Sequence, residues 1–224
     1  SEMCIRDRDY LDLYQFHNPA FCPKPGDGSG LYECMLEAKK QGKIRHIGIT
    51  NHRLAVAEEA VESGLYETLQ FPFSYLSSDK DLELVDKCEK AKMGFIAMKA
   101  LSGGLINNSA AAYAYLSQFP HVLPIWGVQR EKELDEFISY VQNPPALTQE
   151  LKNVITDDRQ ELQGEFCRGC GYCMPCPAGI EINNCARMSL LIRRSPSEAQ
   201  LTSEMQEKMM QIEKCLHCGK CKSK

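Results

Sequence analysis

The sequence predicts an α/β fold in which repeated βα units form a parallel sheet closed as a barrel, followed by a small α-helical domain. Two observations predict this arrangement. Over residues 9–145, short apolar runs bounded by turn residues alternate with amphipathic segments that open on Ser or Asp and end before Gly or Pro. From residue 167 onwards, cysteines recur at every third position in two separate groups. The chain therefore has two parts of different chemical character.

The first part contains five predicted strands and five predicted helices in strict alternation. The strands are Tyr10–Phe16, Ile44–Ile49, Thr68–Phe73, Gly94–Lys99 and Val122–Val128. The helices are Ser29–Gln41, Leu54–Ser63, Asp79–Lys92, Ser109–Phe119 and Glu131–Gln142. Five successive βα units make a parallel sheet, which is either open and doubly wound or closed as a barrel.

Two local features favour the barrel over the open sheet. An open dinucleotide fold requires G-x-G-x-x-G directly after its first strand, whereas Gly26–Gly30 has another spacing and follows prolines. Polar residues instead lie at or near the carboxyl ends of the predicted strands: His17 and Thr50-Asn51 follow the first two, Gln70 lies within the third, and Lys99 ends the fourth. Because barrels carry their active sites at the carboxyl ends of their strands, these residues are the candidate site.

Composition and charge indicate small-molecule chemistry. The 224 residues are 43% hydrophobic and 25% charged, with a formal net charge of −4, and the Lys and Arg residues are scattered. No basic stripe predicts a nucleic acid partner, and no apolar run reaches the roughly 18 residues of a membrane span. The amino-terminal residues lack the apolar core of a secretory signal. We therefore expect a cytoplasmic protein without nucleic acid or membrane partners.

Seven of the twelve cysteines are clustered. They are Cys167, Cys170, Cys173 and Cys176 in one group and Cys215, Cys218 and Cys221 in the other. Thiols three residues apart close loops too small for useful disulfides, and structural zinc sites use Cys pairs separated by a dozen or more residues. Three closely spaced thiolates instead suit three corners of a 4Fe-4S cluster, while a Cys followed by Pro serves a second cluster. The pattern predicts two 4Fe-4S clusters.

The ligand assignment predicts that one cluster lacks a thiolate. Cys176 precedes Pro177 and would join the later group, which leaves the earlier group without its fourth ligand. Cys185 is an alternative ligand, although a buried thiol that packs as a small apolar residue is the simpler interpretation. The second cysteine run stops just before the expected Cys-Pro, so we expect a truncated chain.

The segment between the cysteine groups is predicted to be helical. Apolar residues recur at helical spacing over Cys185–Arg193 and Ser203–Lys214. Residues 166–224 are therefore expected to form an α-helical ferredoxin-like domain, preceded by a linker helix within 143–165.

Three segments in order carry a resemblance to a known family. They are residues 10–19 (YLDLYQFHNP), 42–51 (GKIRHIGITN) and 98–104 (MKALSGG). They resemble the aldo-keto reductase superfamily, and the match covers residues 9 to about 142. Together with CRGCGYCMPCP at 167–177, the chain is similar to the branch whose barrel precedes a 4Fe-4S ferredoxin-type domain.

The resemblance implies that residues 9–142 are about strands four to eight of an eight-stranded (β/α)8 TIM barrel. The family uses Asp, Tyr, Lys and His to assist hydride transfer between NADPH and a carbonyl, and of these only His17 has a counterpart here. Its imidazole would donate a hydrogen bond to the substrate oxygen. The expected consequence is that this chain alone is an inactive fragment.

The resemblance also implies a set of cofactor contacts. Thr50 and Asn51 would bond the nicotinamide carboxamide, although a helix N-cap turn explains the same pair. The other implied contacts are Gln70 to the carboxamide, Met98 to the nicotinamide ring, Lys99 to the pyrophosphate, and Gly127 and Arg130 near the 2′-phosphate. The cofactor is expected to be NADP(H) or NAD(H).

Two functions remain open at this stage. The first is an oxidoreductase that interconverts a small-molecule carbonyl and alcohol, coupled to 4Fe-4S clusters that exchange electrons with a redox partner protein. The alternative is a non-catalytic iron-sulfur electron carrier in which the barrel is only a scaffold.

Overall fold

The computed structural model describes residues 9–162, 167, 173–194 and 197–221. The described residues belong to two compact units. The first consists of 9–73, 77–98 and 119–125, and the second consists of 74–76, 99–118 and the described residues from 126 onwards. The predicted boundaries at 142 and 165 stay a prediction.

A five-stranded parallel sheet forms the first unit. Its strands are β1 (Leu11–His17), β2 (Ile44–Thr50), β3 (Thr68–Pro72), β4 (Gly94–Met98) and β5 (Val122–Pro124). Each strand pairs with the next in chain order. This sequential parallel order is that of βα units wound in one direction, as in a barrel, and the predicted α/β class is confirmed.

The helices follow the predicted alternation closely. They are α1 (Leu31–Lys40), α2 (Leu54–Ser63), α3 (Asp79–Lys90), α4 (Ser109–Leu116), α5 (Glu131–Gln142), α6 (Gln149–Glu161), α7 (Ile182–Arg194), α8 (Ser197–Gln200) and α9 (Ser203–Met210), with a 3-10 turn at Gln211–Lys214. Local chemistry sets the ends. A capping box of Ser78 and Asp81 opens α3, and Gly64 closes α2 at a φ of 63°.

Apolar residues of the strands form the core of the first unit. Ile49, Leu69 and Phe95 are at most 1% exposed. The ring of Phe73 meets those of Phe95 and Phe119 edge to face, with centroids 5.7 and 5.3 Å apart. This packing covers the middle of the sheet, while β1 and β2 end in the polar residues His17 and Thr50.

The fifth strand is shorter than its predicted range of Val122–Val128. Pairing in the sheet ends at Pro124, and Ile125 adds one further backbone bond to Ala97 at 2.9 Å. Trp126 then leaves the strand direction, and its ring stacks on Tyr113 and Phe137 with centroids 5.6 and 4.7 Å away. Trp126 therefore contributes to aromatic packing rather than to the sheet, whereas Ile125 and Val128 are exposed.

The second unit has its own apolar core. Tyr75, Ile106, Ala111, Ala112 and Ile155 are buried there together. Helix α6 contributes Ile155 to this core, and it lies inside the range predicted for the linker helix. None of the described helices combines the length and the apolar run that a membrane crossing requires.

Candidate active site and cysteine clusters

Three predicted site residues lie side by side at the carboxyl edge of the sheet. His17 on β1 pairs with Thr50 on β2, and Thr50 pairs with Gln70 on β3. Residues paired across parallel strands project from the same face, so these side chains form one row. His17 is exposed, Gln70 is half-buried, and Thr50 is 6% exposed. The row presents an imidazole, a hydroxyl and an amide next to one another.

Asn51 follows Thr50 in the chain, and its side chain is hydrogen-bonded to backbone groups. It is fully buried, its Nδ2 donates to the Pro19 carbonyl at 2.9 Å, and its Oδ1 accepts from the Arg53 amide at 2.9 Å. The second bond makes a turn just before α2, whose N-cap residue is Arg53 and not Thr50 or Asn51. The oxygen and the nitrogen of its side-chain amide thus bind the loops that follow β1 and β2. The contact of Asn51 with a cofactor stays a prediction.

Gln70 and Met98 meet across β3 and β4. The Gln70 Nε2 atom lies 3.7 Å from the Met98 Sδ atom, which is a weak acceptor. The Gln70 amide is therefore oriented by Met98 without a strong bond to hold it. A ligand that offers better hydrogen-bonding partners can compete for this amide.

Lys99 directly follows Met98 in the chain and belongs to the second unit. Its φ of 58° is in the left-handed region, and its carbonyl accepts from the Ser102 amide at 2.6 Å. Ser102, Gly103 and Gly104 also have positive φ. These positive φ values form tight turns in residues 99–104, which we call the 99–104 loop. The Lys99 side chain is exposed.

Gly127 and Arg130 precede α5 in the second unit. Gly127 is exposed with a φ of 67°. The Arg130 guanidinium bonds Glu133, whose Oε2 accepts from the Gln129 amide at 2.9 Å. Hydrogen bonds from Gln129 and then Arg130 hold the pKa of Glu133 below its usual range. A carboxylate thus occupies the helix start where the resemblance implies the cofactor phosphate.

The predicted cluster ligands are only partly described. Cys170 lies outside the described residues. Cys167, Cys173 and Cys176 are half-buried, whereas Cys215, Cys218 and Cys221 are exposed. Within the described ranges, no three Cys, His, Asp or Glu side chains are gathered around a common point. Cys185 on α7 is half-buried, and burial raises the pKa of its thiol.

The later cysteine group fits an iron-sulfur cluster in two respects. Its donors are all soft thiols, and the chain around them curls through positive φ at His217 (49°) and Gly219 (72°). The His217 amide donates to Cys215 Sγ at 3.4 Å. Curled backbone of this kind directs amides towards anions, and such bonds to the sulfurs tune a cluster. The residues present are therefore compatible with the predicted group.

Arg187 on α7 is a residue of this region that sequence reasoning missed. Its Nη2 atom donates to the Ser102 and Gly103 carbonyls at 3.2 and 2.6 Å, and its Nε is buried without a hydrogen-bond partner among the described residues. Burial lowers the pKa of the Arg187 guanidinium, and the electrostatic effect of Cys167 acts in the opposite direction. A single arginine on a predicted helix does not indicate that its guanidinium binds backbone carbonyls.

A second missed group ties α6 to α7. Arg194 is 8% exposed at its side chain, and its guanidinium bonds Asp158 and Glu161. Its Nε atom donates to the Leu105 carbonyl at 2.6 Å. Arg187 and Arg194 are seven residues apart, which places both on one helix face, but this spacing does not identify their partners.

The chain matches two protein families. Residues 5–111 match the aldo/keto reductase family, and residues 166–224 match a 4Fe-4S dicluster domain. The first match covers the sheet edge with His17, Thr50 and Gln70, and the second covers both cysteine groups.

Curated relatives match over a short segment. An aldo-keto reductase of Mycobacterium avium (strain 104) is 39% identical over 64 residues, which are 29% of this chain and 20% of that protein. The methylglyoxal reductase DkgB of Salmonella typhi is 45% identical over 56 residues, which are 24% of this chain and 20% of that protein. The aligned segments thus span about a fifth of either relative.

Solved structures support the fold. An aldo-keto reductase from Bacillus halodurans aligns with a TM-score of 0.57 at 18% identity, over 70% of this chain and 64% of that one. An aldo/keto reductase from Brucella melitensis aligns with a TM-score of 0.53 at 18% identity, over the same shares. At this identity the likeness concerns the fold alone, and it spans less than two thirds of either relative.

Proposed function

Because this chain carries an aldo/keto reductase domain followed by a 4Fe-4S dicluster domain, we propose that it belongs to an oxidoreductase that interconverts a small-molecule carbonyl and alcohol. NADPH or NADH is the proposed hydride carrier, and a redox partner protein is the proposed source or acceptor of cluster electrons. The row of His17, Thr50 and Gln70 is the observation that carries the proposal.

His17 has the position and exposure to act on a substrate oxygen. A carbonyl oxygen gains negative charge as hydride arrives, and an imidazole N–H that bonds this oxygen stabilises that charge. The imidazole is exposed at the strand end, so a substrate can reach it. His17 therefore orients the carbonyl and stabilises its developing charge, while the bound nicotinamide supplies or accepts the hydride.

Thr50 and Gln70 are proposed to orient the nicotinamide carboxamide. A primary amide offers two donors and one acceptor, and the neighbouring hydroxyl and amide side chains offer the complementary groups. The weak bond of Gln70 to the Met98 sulfur, at 3.7 Å, is easily exchanged for a bond to the carboxamide. Met98 itself offers an apolar, polarisable surface for the ring.

The cysteine groups are proposed to hold two 4Fe-4S clusters that transfer single electrons. Cys167, Cys170 and Cys173 would bind one cluster, and Cys176 would join the later three thiols. Such clusters need thiols that are kept reduced, which supports a cytoplasmic location. The exposure of Cys215, Cys218 and Cys221 leaves the later cluster accessible to a partner protein.

The first experiment tests His17 in protein expressed from its full reading frame. We expect His17→Ala to lower kcat/KM for carbonyl reduction by about a hundredfold, with little change in the Kd for NADPH. His46→Gln is the control, because His46 is an exposed histidine of β2 that bonds Glu67. Equal activities of the two variants would refute the role of His17.

The second experiment tests the clusters. Anaerobically purified protein should contain iron and acid-labile sulfide in equal amounts, and Cys218→Ser should lose about half of both. Cys34→Ser, an exposed thiol of α1, should lose none. Colourless protein that contains zinc would refute the cluster assignment. Iron-loaded protein that reduces no carbonyl with either nucleotide would instead support the non-catalytic electron carrier.

A further inference from the structure

Asn51 joins the strand ends of the candidate site to one another. It follows Thr50 at the end of β2, and its backbone amide donates to the Gln70 carbonyl of β3 at 3.0 Å. Its side-chain Nδ2 atom donates to the Pro19 carbonyl, two residues beyond His17 of β1, at 2.9 Å. Asn51 is therefore bonded to β3 on one side and to the segment that follows β1 on the other.

The chain turns directly after His17. The Asn18 amide donates to the Thr50 carbonyl at 2.9 Å, which extends the pairing of β1 with β2 by one residue. Asn18 has a φ of 50°, in the left-handed region, so the chain leaves the strand direction at this residue. The bond from Asn51 to the Pro19 carbonyl holds the chain immediately after this turn.

The His17 imidazole depends on its backbone for its position. The ring is exposed, and it has no hydrogen bond or ion pair with any residue that the structure describes. A side chain without such partners is placed by its Cα position and its preferred rotamers alone. The backbone of residues 17–19 therefore decides where the ring can lie.

Burial separates Asn51 from a cofactor. Its exposed fraction is 0%, and the oxygen and the nitrogen of its side-chain amide both have backbone partners. A nicotinamide carboxamide could bond this amide only by displacing a buried backbone bond, which is unfavourable. The contact with the carboxamide that the resemblance implies for Asn51 does not fit this geometry.

We propose that Asn51 is a positioning residue that fixes the backbone beside His17, and that it acts on the reaction through His17 instead of bonding the cofactor. The inference rests on the proposed function only for the chemical role of His17. A hydrogen bond from an imidazole to a developing oxyanion has a narrow range of productive distances and angles. Loss of the Asn51 side chain should therefore slow carbonyl reduction and leave nucleotide affinity unchanged.

The first test measures the backbone without any substrate. In protein expressed from its full reading frame, we expect Asn51→Ala to accelerate hydrogen exchange of the Asn18 amide at least about tenfold. Asn108→Ala is the matched control. The Asn108 Oδ1 atom accepts from the Ala111 amide at 2.8 Å at the start of α4, so this variant also loses a bond from a side-chain amide to the backbone. It should leave the exchange of the Asn18 amide unchanged.

The second test separates positioning from cofactor binding. In Asn51→Ala, kcat for carbonyl reduction should fall at least about tenfold, while the Kd for NADPH should change by less than about twofold. Gln70→Ala is the comparison, because Gln70 is proposed to bond the carboxamide and its loss should raise this Kd. If Asn51 bonded the carboxamide, its loss would raise the Kd as well.

Pro19→Gly tests the same link from the loop side, and it also serves if Asn51→Ala fails to fold. Glycine keeps the accepting carbonyl but has much greater conformational freedom than proline. The Asn18 amide should again exchange faster, and kcat should fall with little change in the Kd for NADPH. Pro120→Gly is the control, because Pro120 is exposed and precedes the amino end of β5, at the opposite edge of the sheet.

The outcomes separate this proposal from the proposed function. Wild-type protein that reduces no carbonyl overturns the proposed function, and the exchange of the Asn18 amide then still decides whether Asn51 fixes the backbone. Unchanged exchange in Asn51→Ala and Pro19→Gly, or a raised Kd for NADPH in Asn51→Ala, overturns the positioning role alone. Faster exchange in both variants, with a lower kcat at unchanged Kd, supports it.

Discussion

The hydroxyl of Tyr75, in the segment that follows β3, donates a hydrogen bond to the Asp158 carboxylate of α6, which is 83 residues later in the chain. Tyr75 is fully buried, and burial raises the pKa of its hydroxyl. Arg159 adds a bond from its Nε atom to the Tyr75 carbonyl at 2.7 Å. The segment around Tyr75 thereby anchors α6, the helix that precedes the cysteine groups.

Removal of this hydroxyl should destabilise the protein. We expect Tyr75→Phe to lower the free energy of unfolding by about 1–3 kcal/mol, because a buried bond to a charged acceptor is lost. Urea denaturation measures the change. Tyr14→Phe is the control, since Tyr14 is 48% exposed and should change stability by less than about 0.5 kcal/mol. Equal effects of the two variants would show that the bond contributes little.

The Glu67 carboxylate should make stability sensitive to acid. Burial acts to raise its pKa, but bonds from Lys39, His46 and the Ile47 amide lower the pKa to about 2. Since the folded-state pKa lies below the ordinary 4.5, the stabilisation is present above pH 4.5 and is lost as the pH falls towards 2.

Glu67→Gln tests this acid dependence. The side chain is 41% exposed, so screening limits the expected loss at pH 6 to about 1 kcal/mol. The variant should approach the wild type as the pH falls from 4.5 to 2. Denaturation curves at several pH values provide the measurement, and a stability difference that stays constant over this range would contradict the prediction.

The isolated thiols should differ widely in reactivity. Cys88 is fully buried, and burial raises its pKa to about 12, whereas Cys34 is exposed. Because the thiolate is the reactive form, we expect iodoacetamide to modify Cys88 at least about a hundredfold more slowly than Cys34 in native protein. Peptide mass spectrometry measures both rates. In urea the two rates should converge, and equal rates without urea would show that Cys88 is accessible.

Glu133 should influence the choice of nicotinamide cofactor, if the helix start of α5 receives the 2′-phosphate. Its carboxylate accepts from the Gln129 and Arg130 amides and pairs with the Arg130 guanidinium. We expect Glu133→Gln to lower the Kd for NADPH relative to NADH by about threefold to tenfold, because a competing negative charge is removed. Fluorescence titration measures both constants. Glu136→Gln, one turn later, should leave the ratio unchanged.

Local sequence signals predicted the repeated elements well. The helices Leu54–Ser63 and Glu131–Gln142 have the bounds that the sequence predicted. These bounds could be predicted because the turn residues next to them are visible in the sequence. The predicted strand Val122–Val128 was too long, since Trp126 packs against aromatic rings and Ile125 is exposed. The periodicity of apolar residues shows that a segment has an apolar face, but not which part of the protein packs against that face.

The order of the strands and the presence of clustered thiols were determined by the sequence alone, because alternation, turn residues and cysteine spacing are local properties of the chain. Only the tertiary structure revealed that His17, Thr50 and Gln70 share one register. It alone revealed the carbonyl partners of Arg187. The physical reason is that strand register and backbone acceptors depend on contacts between distant segments, and a backbone carbonyl has no signature in the sequence.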